Sequence, residues 1–216
     1  VDSSAFELEA QEVYDTVNEI RLAGPTDERF VIADFWADNP GPTATPPGHW
    51  ISIASIVLDA ENADLGTAAE TYARLGIAVS DAFISCWYTK YQTNLIRPIS
   101  YIQNVSGPIN DPAWVTLTPT PTPPFPEYTS GHSVQSGAAS RVLEAMFGTA
   151  YAFVDDTHAN RNPPLSPRSF SSFAAAADEA AVSRLYGGIH YRAAIDLGVQ
   201  QGRLIGDLVN DIPFRR

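Results

Sequence analysis

The stretch from 66 to 95, GTAAETYARLGIAVSDAFISCWYTKYQTNL, holds no proline, is rich in alanine and repeats its apolar residues at helical spacing. It predicts one long helix, because alanine is the strongest helix former and the period is that of one buried face. Arg97-Pro98 bounds it, since a residue before proline is pushed out of the helical region. The rest of the chain follows suit. Phe6, Val13, Val17 and Ile20 mark a helix over 4–22 behind a serine cap, stopped by Gly24-Pro25. Thr26-Asp27-Glu28 caps a second apolar segment through Trp36, NPGPTATPPG (39–48) reads as a loop, and a third helix runs from about His49 to Ala60. Further helices are expected at about 131–147, 172–187 and 194–210. With almost no strand pattern, no repeat and no domain boundary, the expectation is a single all-α helical bundle spanning 1–216.

Composition narrows the class. At 216 residues and 44% hydrophobic, the chain can bury a substantial core, and it has no apolar run long enough for a transmembrane segment. A net charge of -12 argues against nucleic acid or an anionic membrane as partner, so an anionic small molecule would need a local basic pocket. The 13 basic residues are twelve arginines and one lysine, Lys90. The single cysteine, Cys86, sits in the apolar run DAFISCWY and reads as a buried, inert thiol. One cysteine forms no internal disulfide, which leaves the compartment open, secretion and the periplasm included. The chain begins at Val1 and its one methionine is Met146, so it is expected to be part of a longer native chain.

Between the fourth and fifth predicted helices lies a proline-rich connection, 105–129. Its position between two patterned helices, with Trp114 and Phe125 available for packing, predicts an ordered loop. Three pieces of chemistry surround it. In CWYTKYQTNLIRP, Lys90 and Arg97 are seven apart, two helical turns, so both are expected on one face with Trp87. In YTSGH, Ser130 and Gly131 open a helix whose free N–H groups and positive dipole end suit an anion, and His132 follows in the first turn. In SRLYGGIHYRAAID, Arg184 and His190 would be misaligned by about 120° on one unbroken helix. Gly187-Gly188 can end that helix and swing His190 back under Arg184. Each piece also has an ordinary structural reading: a solvated face, an N-cap, a helix stop.

In this order the three blocks resemble the signature of the type 2 phosphatidic acid phosphatase superfamily, which includes the vanadium-dependent haloperoxidases. Lys90 to Pro98, Ser130 to His132 and Ser183 to His190 carry the resemblance, and the sole lysine falls where the motif demands one. Trp87 and FPEYTSGH bring the chain closer to the chloroperoxidase-like branch, with Phe125 where bromoperoxidases tend to have histidine. The resemblance implies a helical bundle in which Lys90, Arg97, Ser130, Gly131 and Arg184 cradle vanadate. It also implies His190 as the vanadium ligand, His132 as acid/base, and Trp87 and Phe125 in the pocket wall. Hydrogen peroxide and a halide would be the substrates. A phosphate ester hydrolysed through a phosphohistidine is the alternative on the same scaffold, and an inactive helical module is a third. Family members usually carry a further helical bundle before this region, so association with such a segment or with a second copy is expected. Two positions depart from the pattern. Thr129 replaces the usual proline. Ala194 replaces an aspartate expected to orient the second histidine, a task that would pass to Asp196 or a backbone carbonyl. His49 reads as a capping or packing residue. His158 lies near Asp155 and Asp156, a set that could hold a divalent cation, and receives no role.

Overall fold

The structure, a computed structural model, describes residues 4–117 and 122–214. The fold is all-α, with one short strand pair among the described residues. Helix α1 (Ala5–Ala23) is capped by the Ser4 side chain, which accepts from the Glu7 N–H, and buries Ala10, Val13, Val17 and Ile20 as one stripe. Helix α2 (Glu28–Phe35) is capped by Asp27. Helix α3 (Thr45–Ala60) begins a turn earlier than its sequence suggests, because Pro46 and Pro47 fall in the first turn, where a missing N–H costs nothing.

Helix α4 (Leu65–Thr93) is the long helix and closes on Asn94 in the left-handed conformation, φ 49°. This corrects the reading of Lys90 and Arg97 as neighbours on one helical face. Asn94 tolerates the left-handed cap and breaks the ladder before Pro98 can, so Arg97 instead heads a short helix, α5 (Pro98–Ile102). The proline-rich connection is placed over 105–117 and 122–129, and residues 118–121 lie outside the described residues. Helix α6 (Gly131–Phe147) follows. Strands β1 (Phe153–Asp155) and β2 (Arg168–Phe170) pair antiparallel with Phe153 opposite Phe170, before α7 (Phe173–Tyr186) and α8 (Arg192–Asn210).

Helix α6 is the centre of the bundle, buried without a break from Ser133 to Ser140 and flanked by α4, α7 and α8. Of its buried polar side chains, Ser136 accepts from the Trp50 indole at 2.9 Å and Ser140 donates to the Gly137 carbonyl, while the Ser133 hydroxyl and the Gln135 amide are buried without a partner. Contact between α6 and α8 is backbone on backbone. A Cβ added to Gly202 would lie 1.9 Å from the Val134 carbonyl oxygen, and one on Gly206 would lie 2.7 Å from that of Ala138. Gly198 faces Ser130 and Ser133 in the same manner, so the two helices run parallel in this register. Their N-termini therefore open at the same end of the bundle, and the Ser130 N–H donates to the Ala194 carbonyl there. Among the described residues, no helix is long and apolar enough to cross a membrane.

Candidate active site

At that end lies a cavity of about 300 Å³. Trp87, Arg97, Phe125, Gly131, His132, Arg184 and His190 line it, from α4, the α5 start, the loop, the α6 start, α7 and the turn before α8. Helix α7 stops at Gly187, and Gly188, at φ 77°, turns the chain so that His190 meets the cavity wall already carrying Arg184. Of the nine residues that the resemblance assigns to the cradle, its two histidines and the pocket wall, Lys90 and Ser130 are the two not in the lining. Ser130 is fully buried as the α6 N-cap, accepting from the Ser133 N–H.

Lys90 is fully buried behind the wall. Its ammonium stands 5.3 Å from the Phe125 ring and 5.6 Å from Trp87, and it donates to the carbonyls of Pro126 (3.1 Å) and Glu127 (2.8 Å). Burial pulls its pKa down to about 8. Arg97 grips the same strip of loop. Its Nε donates to the Phe125 carbonyl and its Nη1 to the Ile189 carbonyl, each at 3.0 Å. The Arg97 Nη2 is buried and has no partner. Arg184 is held by Ser183 Oγ at 3.1 Å, while its terminal nitrogens make only 3.5 Å contacts, to His132 Nε2 and the Ala33 carbonyl. Desolvation lowers both arginines to about 10.

The two histidines differ in surroundings. His132, half-buried in the first turn of α6, is held well below its ordinary pKa by burial and then by the Arg184 charge, so its imidazole is neutral. His190 is likewise depressed by burial and by Arg97, Lys90 and Arg184. Its Nε2 faces Arg97 Nη1 at 3.2 Å, and its Nδ1 lies 2.6 Å from Glu127 Oε1. Glu127 also accepts the Tyr191 N–H at 3.0 Å, and burial raises its pKa to about 7. The expectation that Asp196 or a backbone carbonyl would replace the aspartate missing at Ala194 is thus corrected. Asp196 is exposed on α8, and the carboxylate arrives from the loop instead. A signal was present: Glu127 is the only charged residue between Asp111 and His132. Thr129, in place of the usual proline, is held by its hydroxyl on Gln201 Oε1 at 2.7 Å. Cys86 is fully buried against Thr129, and burial raises its thiol pKa.

Behind the cavity lies a polar cluster that sequence spacing did not assemble. Asp38, at φ 48° and also in the cavity lining, meets His49 Nδ1 at 2.9 Å, and His49 Nε2 meets Asp155 at 2.8 Å. His49 is therefore neither a cap nor simple packing. Burial opposes its charge, but Asp155 and Asp38 hold its pKa up at about 9. Burial would likewise raise Asp38, yet hydrogen bonds from His158 and His49 hold it well below the carboxylate range. His158 places its Nε2 on the Phe35 carbonyl at 2.8 Å and 3.5 Å from Asp38. Asp38, His49 and His158 bring one ligand atom each within 4.8 Å of one another. His49 bonds both Asp38 and Asp155 and the His158 Nε2 bonds the Phe35 carbonyl, so one imidazolium stands between two buried carboxylates.

Fold and cavity together define an all-α bundle with two arginines and two histidines around one pocket. Residues 70–213 match the family model of the VCPO second helical-bundle domain, and the chain belongs to that family. Vanadium chloroperoxidase of Curvularia inaequalis is 29% identical over 142 residues, 56% of this chain and 23% of that protein. The crystal structure of a bacterial vanadium-dependent iodoperoxidase superposes with a TM-score of 0.88 at 49% identity, covering 97% of this chain and 50% of that one. An apo-type bacterial vanadium-dependent chloroperoxidase shares the fold at a TM-score of 0.73 and 19% identity, covering 96% of this chain and 48% of that one. The chain spans about half the length of these solved relatives and under a quarter of the curated one.

Proposed function

We propose that the cavity binds vanadate and that the protein is a vanadate-dependent haloperoxidase. The observation that carries this reading is a buried guanidinium with an unused donor, Arg97 Nη2, in a chain of net charge -12. A buried donor without an acceptor is costly, and an oxyanion in the cavity would satisfy it. The donor set fits such an anion. The terminal nitrogens of Arg184 hold their neighbours only at 3.5 Å and have N–H groups to spare, and the Gly131 N–H lies in a first helical turn, outside the helix's own i−4 ladder. Arg97, Arg184 and Gly131 would hold the oxygens, with Ser130 and Lys90 behind them, and His190 Nε2 would be the nitrogen ligand.

Bound vanadate would supply a Lewis-acidic centre that activates hydrogen peroxide towards a halide. The chain's own residues do the rest. Arg97 and Arg184, both buried, would offset the anionic charge where it is screened less than in bulk water. His132 would take a proton and return it at the Nε2 that faces Arg184 once a bound anion offsets that charge. Trp87 and Phe125 make the wall apolar. The 49% identical relative is an iodoperoxidase, so iodide is the halide proposed.

The test is iodide oxidation by the purified protein with peroxide, with and without orthovanadate, and with phosphate as competitor. Activity that needs vanadate and falls with phosphate is expected. Hydrolysis of an aryl phosphate that vanadate blocks, with no iodide oxidation, would favour the phosphatase alternative. Calorimetry separates the two histidines: His190→Ala should abolish tight vanadate binding. His132→Ala should bind vanadate yet lose turnover by roughly 10²- to 10⁴-fold.

A further inference from the structure

We propose that Glu127 is the positioning residue that fixes the tautomer of His190, leaving Nε2 as the unprotonated nitrogen on the Arg97 side of the ring. This rests on the reading of His190 as the nitrogen ligand, and it adds a carboxylate that the motif blocks do not contain.

Donors and acceptors on the two sides of the ring fix the tautomer. Arg97 has only N–H groups to offer, so the nitrogen it faces at 3.2 Å, His190 Nε2, must be an acceptor. The imidazole proton then sits on Nδ1, and Glu127 Oε1 at 2.6 Å accepts it. The opposite arrangement would set an Nε2–H against a guanidinium N–H. It would also leave Glu127 Oε1 to donate, although that oxygen already accepts from the Tyr191 N–H. Both ring nitrogens therefore specify the same tautomer. A carboxylate on the far nitrogen also makes the imidazole a better electron donor, the usual arrangement behind a ligating histidine.

Glu127 is itself held on three sides. Its N–H donates to the Leu95 carbonyl at 3.0 Å, its carbonyl accepts from Lys90, and its side chain is wholly buried. Its second oxygen, Oε2, is buried with no partner, so the carboxylate's orientation is set by His190 Nδ1 and the Tyr191 N–H alone. The sole lysine thus bears on His190 through the loop: it fixes the backbone that carries the carboxylate.

The test uses two variants of the same protein. Glu127→Ala removes the acceptor. Glu127→Gln keeps the volume and one acceptor oxygen but loses the charge, and so remains interpretable if the alanine variant is poorly folded. Long-range ¹⁵N imidazole spectra of the vanadate-free protein should show His190 as a single Nδ1–H tautomer in the parent. Glu127→Gln should keep that tautomer, and Glu127→Ala should lose it. Calorimetry with orthovanadate should show affinity falling by roughly 10- to 100-fold in Glu127→Ala, the range typical for partners behind a ligand, and by less in Glu127→Gln. A merely structural Glu127 would lower the melting temperature while leaving tautomer and affinity at parental values, which would overturn the proposal. A parent that binds no vanadate would sink the haloperoxidase reading. The tautomer spectra would still decide whether Glu127 sets the ring.

Discussion

Gly202 is where the bundle has least room. The Cβ of a Gly202→Ala variant would stand 1.9 Å from the Val134 carbonyl oxygen, where ordinary contact begins near 3.4 Å, a deficit of about 1.5 Å. The obstacle is backbone inside a helix and cannot rotate aside, so α6 and α8 must part. Separation would also loosen the contacts at Gly198 and Gly206, which lie on the same stripe of α8. Overpacking of this kind costs about 1–3 kcal/mol, sometimes more, and the alanine returns only about 0.5–1 kcal/mol of helix propensity. An overlap of about 1.5 Å with backbone places the variant at the upper end, about 3 kcal/mol, so a net loss of about 2–2.5 kcal/mol is expected. At about 2–4 °C per kcal/mol for a domain of this size, the melting temperature should fall by roughly 5–10 °C. Gly76→Ala is the matched control: it lies inside α4 with nothing within 4 Å of the added carbon, and should melt slightly above the parent. Circular dichroism melts of the three proteins decide the matter. Gly202→Ala melting at or above the parent would refute the backbone-contact argument.

Three further outcomes follow from the site and its surroundings. His49→Gln removes the cation between Asp38 and Asp155 and should cost about 3–5 kcal/mol in urea unfolding, because two buried carboxylates lose their partner. Since the folded His49 pKa is raised from 6.5 to about 9, its contribution in the parent is complete below about pH 6.5 and lost as pH rises through about 9, a loss that stability curves of His49→Gln should lack. Arg97→Lys keeps a charge but loses the fork that spans Phe125, Ile189 and His190, so orthovanadate affinity by calorimetry should fall at least about tenfold. Cys86, fully buried with its thiol pKa raised, should react with a thiol reagent only after denaturation.

The helices were legible because their signals are local: serine and aspartate caps, apolar stripes and a Gly-Gly stop lie within a few residues of what they specify. Local rules also produced the clearest error. A seven-residue spacing means one face only while the helix lasts, and Asn94 ends it before Arg97. Lys90 and Arg97 still act on the same object, since both donate to consecutive loop carbonyls, but they reach it from different elements. The same logic explains the carboxylate. A spacing motif ties the orienting group of a histidine to a fixed offset along one helix, so Ala194 reads as a loss. The imidazole has no such requirement: Nδ1 needs an acceptor at hydrogen-bond distance, from any part of the chain. Here it comes from 63 residues upstream, on a proline-rich loop pinned by the only lysine in the protein. Motif residues that diverge in the fold, and a partner that no motif contains, thus meet on three consecutive residues, Phe125, Pro126 and Glu127, which makes that loop a structural part of the site rather than a connection beside it.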